Sequence, residues 1–218
     1  MNEILLKSKD SINTFLGSID LLIKDNLTTI KCCDMYELYF HLFNQLKIYR
    51  GTSSGFMGYS ELLLFRFLYN MFSEEFSVIP FTKDVNIFKI KDKREVFLSQ
   101  GAERYKVSTN KKIVPDISVK CKSKLIAVCE IKVFLTNGVR TINDVFLKLK
   151  ELQYIYPDVY TVLIIYINPG KMGSQIKLLE EYSRQYLWFN YIILQDNNQY
   201  LYDLIKDKLN LTEYLINS

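Results

Sequence analysis

The chain is poor in the residues that build the commonest metal and redox sites. It carries 1 histidine and 4 cysteines in 218 residues. The sole His41 cannot make a His-rich zinc centre, and Cys32, Cys33, Cys121 and Cys129 form no Cys-x-x-Cys pair. Reduced, buried thiols are expected, which fits a cytoplasmic protein. No apolar run reaches the ~18 residues of a membrane span, so no membrane partner is expected. The N-terminus lacks the basic head, apolar run and small-residue cleavage site of a signal peptide. Internal repeats and low-complexity tracts are absent too. What remains is 49% apolar, enough to bury one full core, and 1–218 reads as a single domain.

The net charge of +4 is modest but unevenly spread. Residues 83–132 hold 13 Lys or Arg against 6 Asp or Glu, whereas the flanking stretches are slightly acidic. A local positive excess is the footprint of a polyanion partner. Lys89, Lys91, Lys93 and Arg94 also fit a solvated loop or an edge strand protected from aggregation.

Within that basic stretch stand Pro115-Asp116 and, fourteen residues after the Asp, Glu130-Ile131-Lys132. They fall on two expected strands, 113–120 and 125–134, joined by the polar triplet Lys122-Ser123-Lys124. With that triplet as the loop, positions summing to 246 face each other. Asp116 then lies opposite Glu130 with Cβ atoms ~5 Å apart. The same register sets Cys121 and Cys129 opposite residues 125 and 117, not each other. Lys132, two residues on from Glu130, shares its face. Paired carboxylates repel unless a cation lies between them.

The surrounding run is apolar on both faces, as in a central, covered strand. Glu and Lys are rarely buried there unless paired or ligating. Glu-x-Lys alone carries little information, since composition predicts about one and the chain has one. The signal is the conjunction of an Asp after Pro, the gap, the hairpin and the apolar flanks. A surface hairpin with an ion pair between Glu130 and a lysine is the competing reading.

The stretch VPDISVKCKSKLIAVCEIKVF, 114–134, resembles the PD-(D/E)XK nuclease superfamily. Over 58–168 the likeness is topological. It implies an α/β fold with a restriction-endonuclease-like core of helix, three antiparallel strands, helix and strand. An N-terminal helical addition at 1–50 and a C-terminal extension at 169–218 would flank that core. It implies that Asp116 and Glu130 ligate Mg²⁺ or Mn²⁺, with the Ile131 carbonyl as a further ligand and Lys132 serving the attacking water. Many members place a Glu in the first core helix, and Glu61 is the matching candidate. A DNA partner follows, with Lys111, Lys112, Lys120, Lys122, Lys124 and Lys148 as candidate backbone contacts. A homodimer is a further expectation, by fold analogy alone.

Along the rest of the chain, 3–24 and Asp34 to Tyr49 show helical spacing, with Asp34 as the cap of the second helix. Glu37 and His41 on it read as structural. The segment 50–58 is rich in Gly and Ser and reads as a linker or a phosphate-touching loop. Tyr59 to Phe72 reads as a buried helix whose only charges are Glu61 and Arg66. Glu61 in the first turn would also suit the helix dipole. Strands are expected near 86–91 and 104–109, one of them supplying the first core strand.

The segment 141–156 reads as an amphipathic helix opened by a Thr141–Asp144 capping box. Lys148 and Lys150 stand on its other faces. Gln153 resembles a glutamine that some family branches carry, but Pro157 stands where their tyrosine would follow. A strand at 159–167, a helix at 175–184, a strand at 186–194 and a helix at 201–215 complete the expectation. Trp188, Phe189 and Tyr191 fit core packing, or base stacking on single strands. A non-catalytic nucleic-acid-binding protein, or a replication or recombination accessory protein on the same fold, remains the alternative function.

Overall fold

In the computed structural model the apolar run around Glu130 forms a central strand, β6 (Lys124–Lys132). The structure describes residues 2–50, 57–73, 79, 82–89, 94–135, 137–170 and 173–215. Seven successive side chains of β6, Leu125 to Ile131, are buried, which requires cover on both faces. Ala127, Cys129 and Ile131 face a cluster with Leu63, Phe67 and Ile205; Val128 faces a second cluster with Ile142, Leu149 and Phe189.

Among the described residues the cover comes from six helices, α1 (Asn2–Asp25), α2 (Cys32–Arg50), α3 (Met57–Phe72), α4 (Val139–Ile155), α5 (Ser174–Gln185) and α6 (Leu201–Lys208). Helices α1, α2, α3 and α6 supply one layer, and α4 and α5 the other. Between them lies a six-stranded mixed sheet, so the architecture is α/β. Its further strands are β1 (Asp84–Lys89), β2 (Arg94–Gln100), β5 (Ile117–Cys121), β7 (Tyr160–Ile165) and β8 (Phe189–Ile193), in the order β1-β2-β5-β6-β7-β8. Strands β1, β2, β5 and β6 pair antiparallel in turn, and β7 and β8 continue parallel to β6. Two short strands, β3 (Tyr105–Lys106) and β4 (Lys112–Ile113), form a separate ribbon. Among the described residues no helix is long and apolar enough to cross a membrane.

The hairpin register holds where it matters. Ile117 pairs with Cys129, Ser118 with Val128 and Val119 with Ala127. A register shift follows between Val119 and Lys120, so Cys121 meets Lys124 rather than residue 125. The turn is the pair Lys122-Ser123, with Lys122 in the left-handed region at φ 56°, and Lys124 already belongs to β6. The expected strand at 113–120 is broken. Residue 113 belongs to the ribbon, β5 starts at Ile117, and Val114-Pro115-Asp116 runs between them. Pro115 has no N–H to give a ladder, which accounts for the break.

The first strand of the antiparallel core is β2, which neither expected strand supplies: 86–91 overlaps the edge strand β1, and 104–109 the ribbon. Helix α2 starts at Cys32, so Asp34 lies in its first turn. Its Oδ2 reaches back to accept from the Lys31 N–H at 2.8 Å, the return half of a capping box. Helix α4 starts at Val139 after Gly138 at φ 47° with no side-chain cap. Thr141 is thus its third residue and no Thr141–Asp144 box opens it; Asp144 lies 3.9 Å from Arg140 instead. Helix α6 stops at Lys208, and Asn210 at φ 50° turns the chain into a short 3-10 turn, Thr212–Tyr214.

The N-terminal helices are fastened by a buried charge pair. Arg66 of α3 donates from Nε to Asp20 Oδ1 at 2.8 Å and from Nη2 to Asp20 Oδ2 and the Ile79 carbonyl, both at 2.6 Å. Both side chains are essentially inaccessible, so loss of either would leave an uncompensated charge at ~3–5 kcal/mol. Leu16, Ile19 and Ile23 of α1 are buried, whereas Ile12, Phe15 and Leu22 stay about half exposed. Phe189 is fully buried and Trp188 stacks on Phe146 at 5.6 Å, so these two aromatics pack against the α4–α5 layer. Glu37 and His41 are exposed on α2.

Candidate active site at one end of the sheet

Three strand ends meet at one edge of the sheet. There β2 ends at Gln100, β5 begins at Ile117 and β6 ends at Lys132. The chain reaches β5 through Pro115-Asp116, and the Asp116 carbonyl accepts from the Gly101 N–H at 2.9 Å. Its carboxylate turns toward β6, where Oδ2 accepts from the Ile131 N–H at 2.7 Å. That bond continues the β5–β6 ladder with a side chain in place of backbone, and it fixes the Asp116 carboxylate beside the Glu130–Lys132 segment.

Glu130 is 2% exposed and Asp116 20%. Lys132 spans them, its Nζ 3.6 Å from Asp116 Oδ2 and 3.8 Å from Glu130 Oε2, while it donates to the Ile131 carbonyl at 3.0 Å. The Ile131 carbonyl therefore faces the same corner as the two carboxylates. From the opposite layer Lys148 of α4 donates to Glu130 Oε1 and to the Val114 carbonyl, the latter at 2.9 Å.

Glu61 approaches from α3. The helix starts at Met57, so Glu61 lies past its first turn, where the dipole has largely decayed. Burial first, then the charge of Asp116, push its carboxyl above the usual range; a hydrogen bond with Gln100 and the charges of Lys132 and Lys148 oppose that shift. Those couplings place Glu61 beside the strand ends. The neighbouring Ser60 carbonyl accepts from the Tyr166 hydroxyl at 2.9 Å, which ties this end of α3 to the chain just after β7.

At this corner burial and a neighbouring carboxylate outweigh the two lysines. Burial and then Asp116 push Glu130 up to about 7, even though Lys148 and Lys132 pull the other way. A hard divalent cation suits three carboxylates and a backbone carbonyl, all oxygen donors. Asp116, Glu130, Glu61 and the Ile131 carbonyl fit such an ion in chemistry. Among the described residues, however, no three His, Cys, Asp or Glu side chains are gathered into a ready metal-binding group. The lysine amines stand among the carboxylates instead.

Of the six lysines expected on a nucleic-acid backbone, Lys148 alone is bonded to a carboxylate of the corner, among the described residues. Lys148 belongs to the carboxylate corner. Its placement was readable in part: it lies three residues after buried Val145 and four before buried Leu152, at the margin of the inward stripe. Lys111 pairs with Glu151 at 2.5 Å, and Lys112 lies opposite Lys106 in the ribbon that leads into Pro115. Lys120 is held by Glu103 at 2.9 Å over the Phe97 ring. Lys122 and Lys124 stand at the hairpin turn, six or more residues from Glu130 along the hairpin and so ~20 Å away. Lys124 pairs there with Asp158 at 2.9 Å. Gln153 is also remote from the carboxylates, donating to the Pro157 carbonyl at 3.1 Å and lining a cavity with Lys124 and Asp158. Residues 51–56 of the glycine-rich segment, and Lys91 and Lys93, lie outside the described residues.

The chain matches no protein-family model, no curated protein and no solved structure.

Proposed function

We propose that the protein is a Mg²⁺- or Mn²⁺-dependent nuclease that hydrolyses DNA phosphodiester bonds, acting as an endonuclease on duplex or branched DNA. The observation that carries this reading is the Asp116–Glu130–Lys132 corner, with an amine within 4 Å of two carboxylates at the end of a covered strand. The order α3, β2, β5, β6, α4, β7 is helix, three antiparallel strands, helix, parallel strand. That order agrees with the restriction-endonuclease-like core that the 114–134 resemblance implies.

Asp116, Glu130 and Glu61 would hold the ion, with the Ile131 carbonyl beside them. A bound divalent cation lowers the pKa of a coordinated water and offsets charge on the phosphate. Lys132 is held by the Ile131 carbonyl, so its ammonium is oriented before substrate arrives and can stabilise negative charge developing on a phosphate oxygen. Asp116, bonded to the Ile131 N–H, keeps its carboxylate aimed along β6. Lys106 and Lys112 face each other across the ribbon, and directly opposed like charges are unfavourable without an anion between them. A DNA backbone next to the corner would relieve that repulsion.

One observation favours a second reading, a non-catalytic nucleic-acid-binding or accessory protein. The Glu130 carboxylate is already bonded to Lys148, so the corner is internally neutralised in part. Incubating the pure protein with Mn²⁺ on linear, flapped and four-way DNA decides between them. Cleavage that Asp116→Ala and Glu130→Ala abolish is the expected result. Binding without cleavage by any substrate, with no Mn²⁺ uptake, would establish the second reading.

A further inference from the structure

Glu130 has two carboxylate oxygens, and they are not equally engaged. Oε1 accepts from the Lys148 ammonium, while Lys132 lies 3.8 Å from Oε2, beyond hydrogen-bond reach. Lys148 binds the Val114 carbonyl with the same ammonium at 2.9 Å. Val114 precedes Pro115-Asp116, so one amine joins the carboxylate of β6 to the backbone that delivers Asp116. A carboxylate only 2% exposed needs such a partner, because an unpaired charge in that setting is costly.

The Lys148 side chain itself is 29% exposed and hangs from α4 on a flexible four-carbon stem. It can leave Glu130 for solvent without moving the helix, whose buried stripe of Ile142, Val145, Phe146, Leu149 and Leu152 stays packed. Asp116 lacks that freedom, because its short side chain is held by the Ile131 N–H; Lys132 is anchored on the Ile131 carbonyl, whereas Lys148 is the amine bonded directly to Glu130.

We propose that Lys148 is a tethered counter-cation which closes the carboxylate corner in the metal-free protein, and that a divalent cation enters by displacing its ammonium from Glu130. This rests on the reading of the corner as a metal site. Lys148 is then a positioning residue that competes with the ion. Removing it should tighten metal binding even as it loosens the empty protein. A lysine with a merely structural role would do the reverse to metal affinity, since its loss would disorder the ligands.

The test is Mn²⁺ titration, by calorimetry and by electron paramagnetic resonance, of the wild type and of Lys148→Met, which keeps most of the stem and deletes the charge. The expected result is at least about tenfold tighter Mn²⁺ binding by Lys148→Met, together with a lower melting temperature without metal. Lys148→Arg, which keeps the charge, should bind Mn²⁺ like the wild type. Lys148→Gln, whose amide can still donate to Glu130 and Val114, guards against a folding defect and should also bind more tightly. Equal or weaker Mn²⁺ binding by the folded Met and Gln variants overturns the proposal. Cleavage assays on the same samples separate the two readings. A wild type that cuts DNA while Lys148→Met gains no affinity keeps the nuclease and removes the competing lysine. A wild type that never cuts, beside a tighter Lys148→Met, keeps the competing lysine and removes the nuclease.

Discussion

The two ends of β6 carry the same kind of pair in opposite settings. At the turn end Lys124 meets Asp158 at 2.9 Å, with side chains 60% and 71% exposed. At the other end Lys148 meets Glu130, with side chains 29% and 2% exposed. Water screens the first pair, so its partners are nearly independent, and such pairs are worth ~0–1 kcal/mol. The second pair lies against the core and a second carboxylate. There a charge must be answered locally, and its removal changes the state of its neighbours. The lesson is that a lysine near an acid says little by sign alone. Solvent access decides whether the pair is decoration or machinery.

The sharpest way to test that contrast is to compare carboxylates at the two ends. Asp116→Ala and Glu130→Ala should abolish Mn²⁺ binding and DNA cleavage with the fold retained, whereas Asp158→Ala should cleave normally. Circular dichroism beside single-turnover assays checks both halves, and near-normal cleavage by either site variant would show the site to be misassigned. Lys132→Met should slow the single-turnover rate by roughly 10²-fold or more while DNA and metal affinity change far less. If its loss of rate merely tracks its loss of binding, the amine is structural.

Next in size is a pH effect confined to the buried end. Glu130 titrates at about 7 in the folded protein against an ordinary 4.5. Between those values the folded protein keeps a proton that the unfolded chain has released. Stability of the metal-free protein should therefore fall as pH rises from about 4.5 to 7, by on the order of 3 kcal/mol from this group. Glu61, also raised, acts in the same direction. Urea unfolding of the wild type and Glu130→Gln at pH 5 and pH 8 measures it. The wild type should lose more on going to pH 8 than the variant does; parallel curves would show that Glu130 titrates as an exposed carboxyl does.

Smaller again is the difference among the lysines in binding DNA. Lys106→Ala and Lys112→Ala, on the ribbon that leads into Asp116, should each weaken binding on unrelated sequences. Each should also lower the salt slope by roughly 1. Lys122→Ala, at the far turn, should change neither. Fluorescence anisotropy across a salt series tests this, and equal losses for Lys112 and Lys122 would mean the DNA path runs along the whole hairpin. The smallest effect belongs to the exposed pair itself: a Lys124→Ala, Asp158→Ala double-mutant cycle should give a coupling below about 1 kcal/mol.

Much of the corner was readable in advance because strand geometry is periodic. Ile117, Ser118 and Val119 meet the partners that a simple sum of positions assigns them, and Asp116 lies beside the Glu130–Lys132 segment as that register requires. Glu61 was approachable as well, since a charge in so apolar a helix stands out. The first antiparallel strand was not. β2 begins with the charged pair Arg94-Glu95, and its pattern competes with that of β1 directly before it. The bulge after Val119 left no mark in the residues, and it moved Lys124 from the expected loop into the strand. Lys148 reads as a lysine on an outer face and a candidate backbone contact because helix periodicity ranks faces by hydrophobicity, whereas its stem crosses the face boundary to a carboxylate on another element.

By itself the sequence determined local features: the buried helix around Glu61, the central strand around Glu130, the register of the hairpin near Pro115, and the sharing of one face by Glu130 and Lys132. These follow from backbone periods of 2 and 3.6 residues and from proline's missing N–H, which act over a few residues. Only the tertiary structure decided which charges meet. Asp20 finds Arg66 across 46 positions and Lys148 finds Glu130 across 18. It also decided that Lys132 stands at one end of β6 and Lys124 at the other, each beside a different acid. The physical reason is that pairing and desolvation depend on distance and solvent access, and both are set by how layers pack rather than by any spacing along the chain.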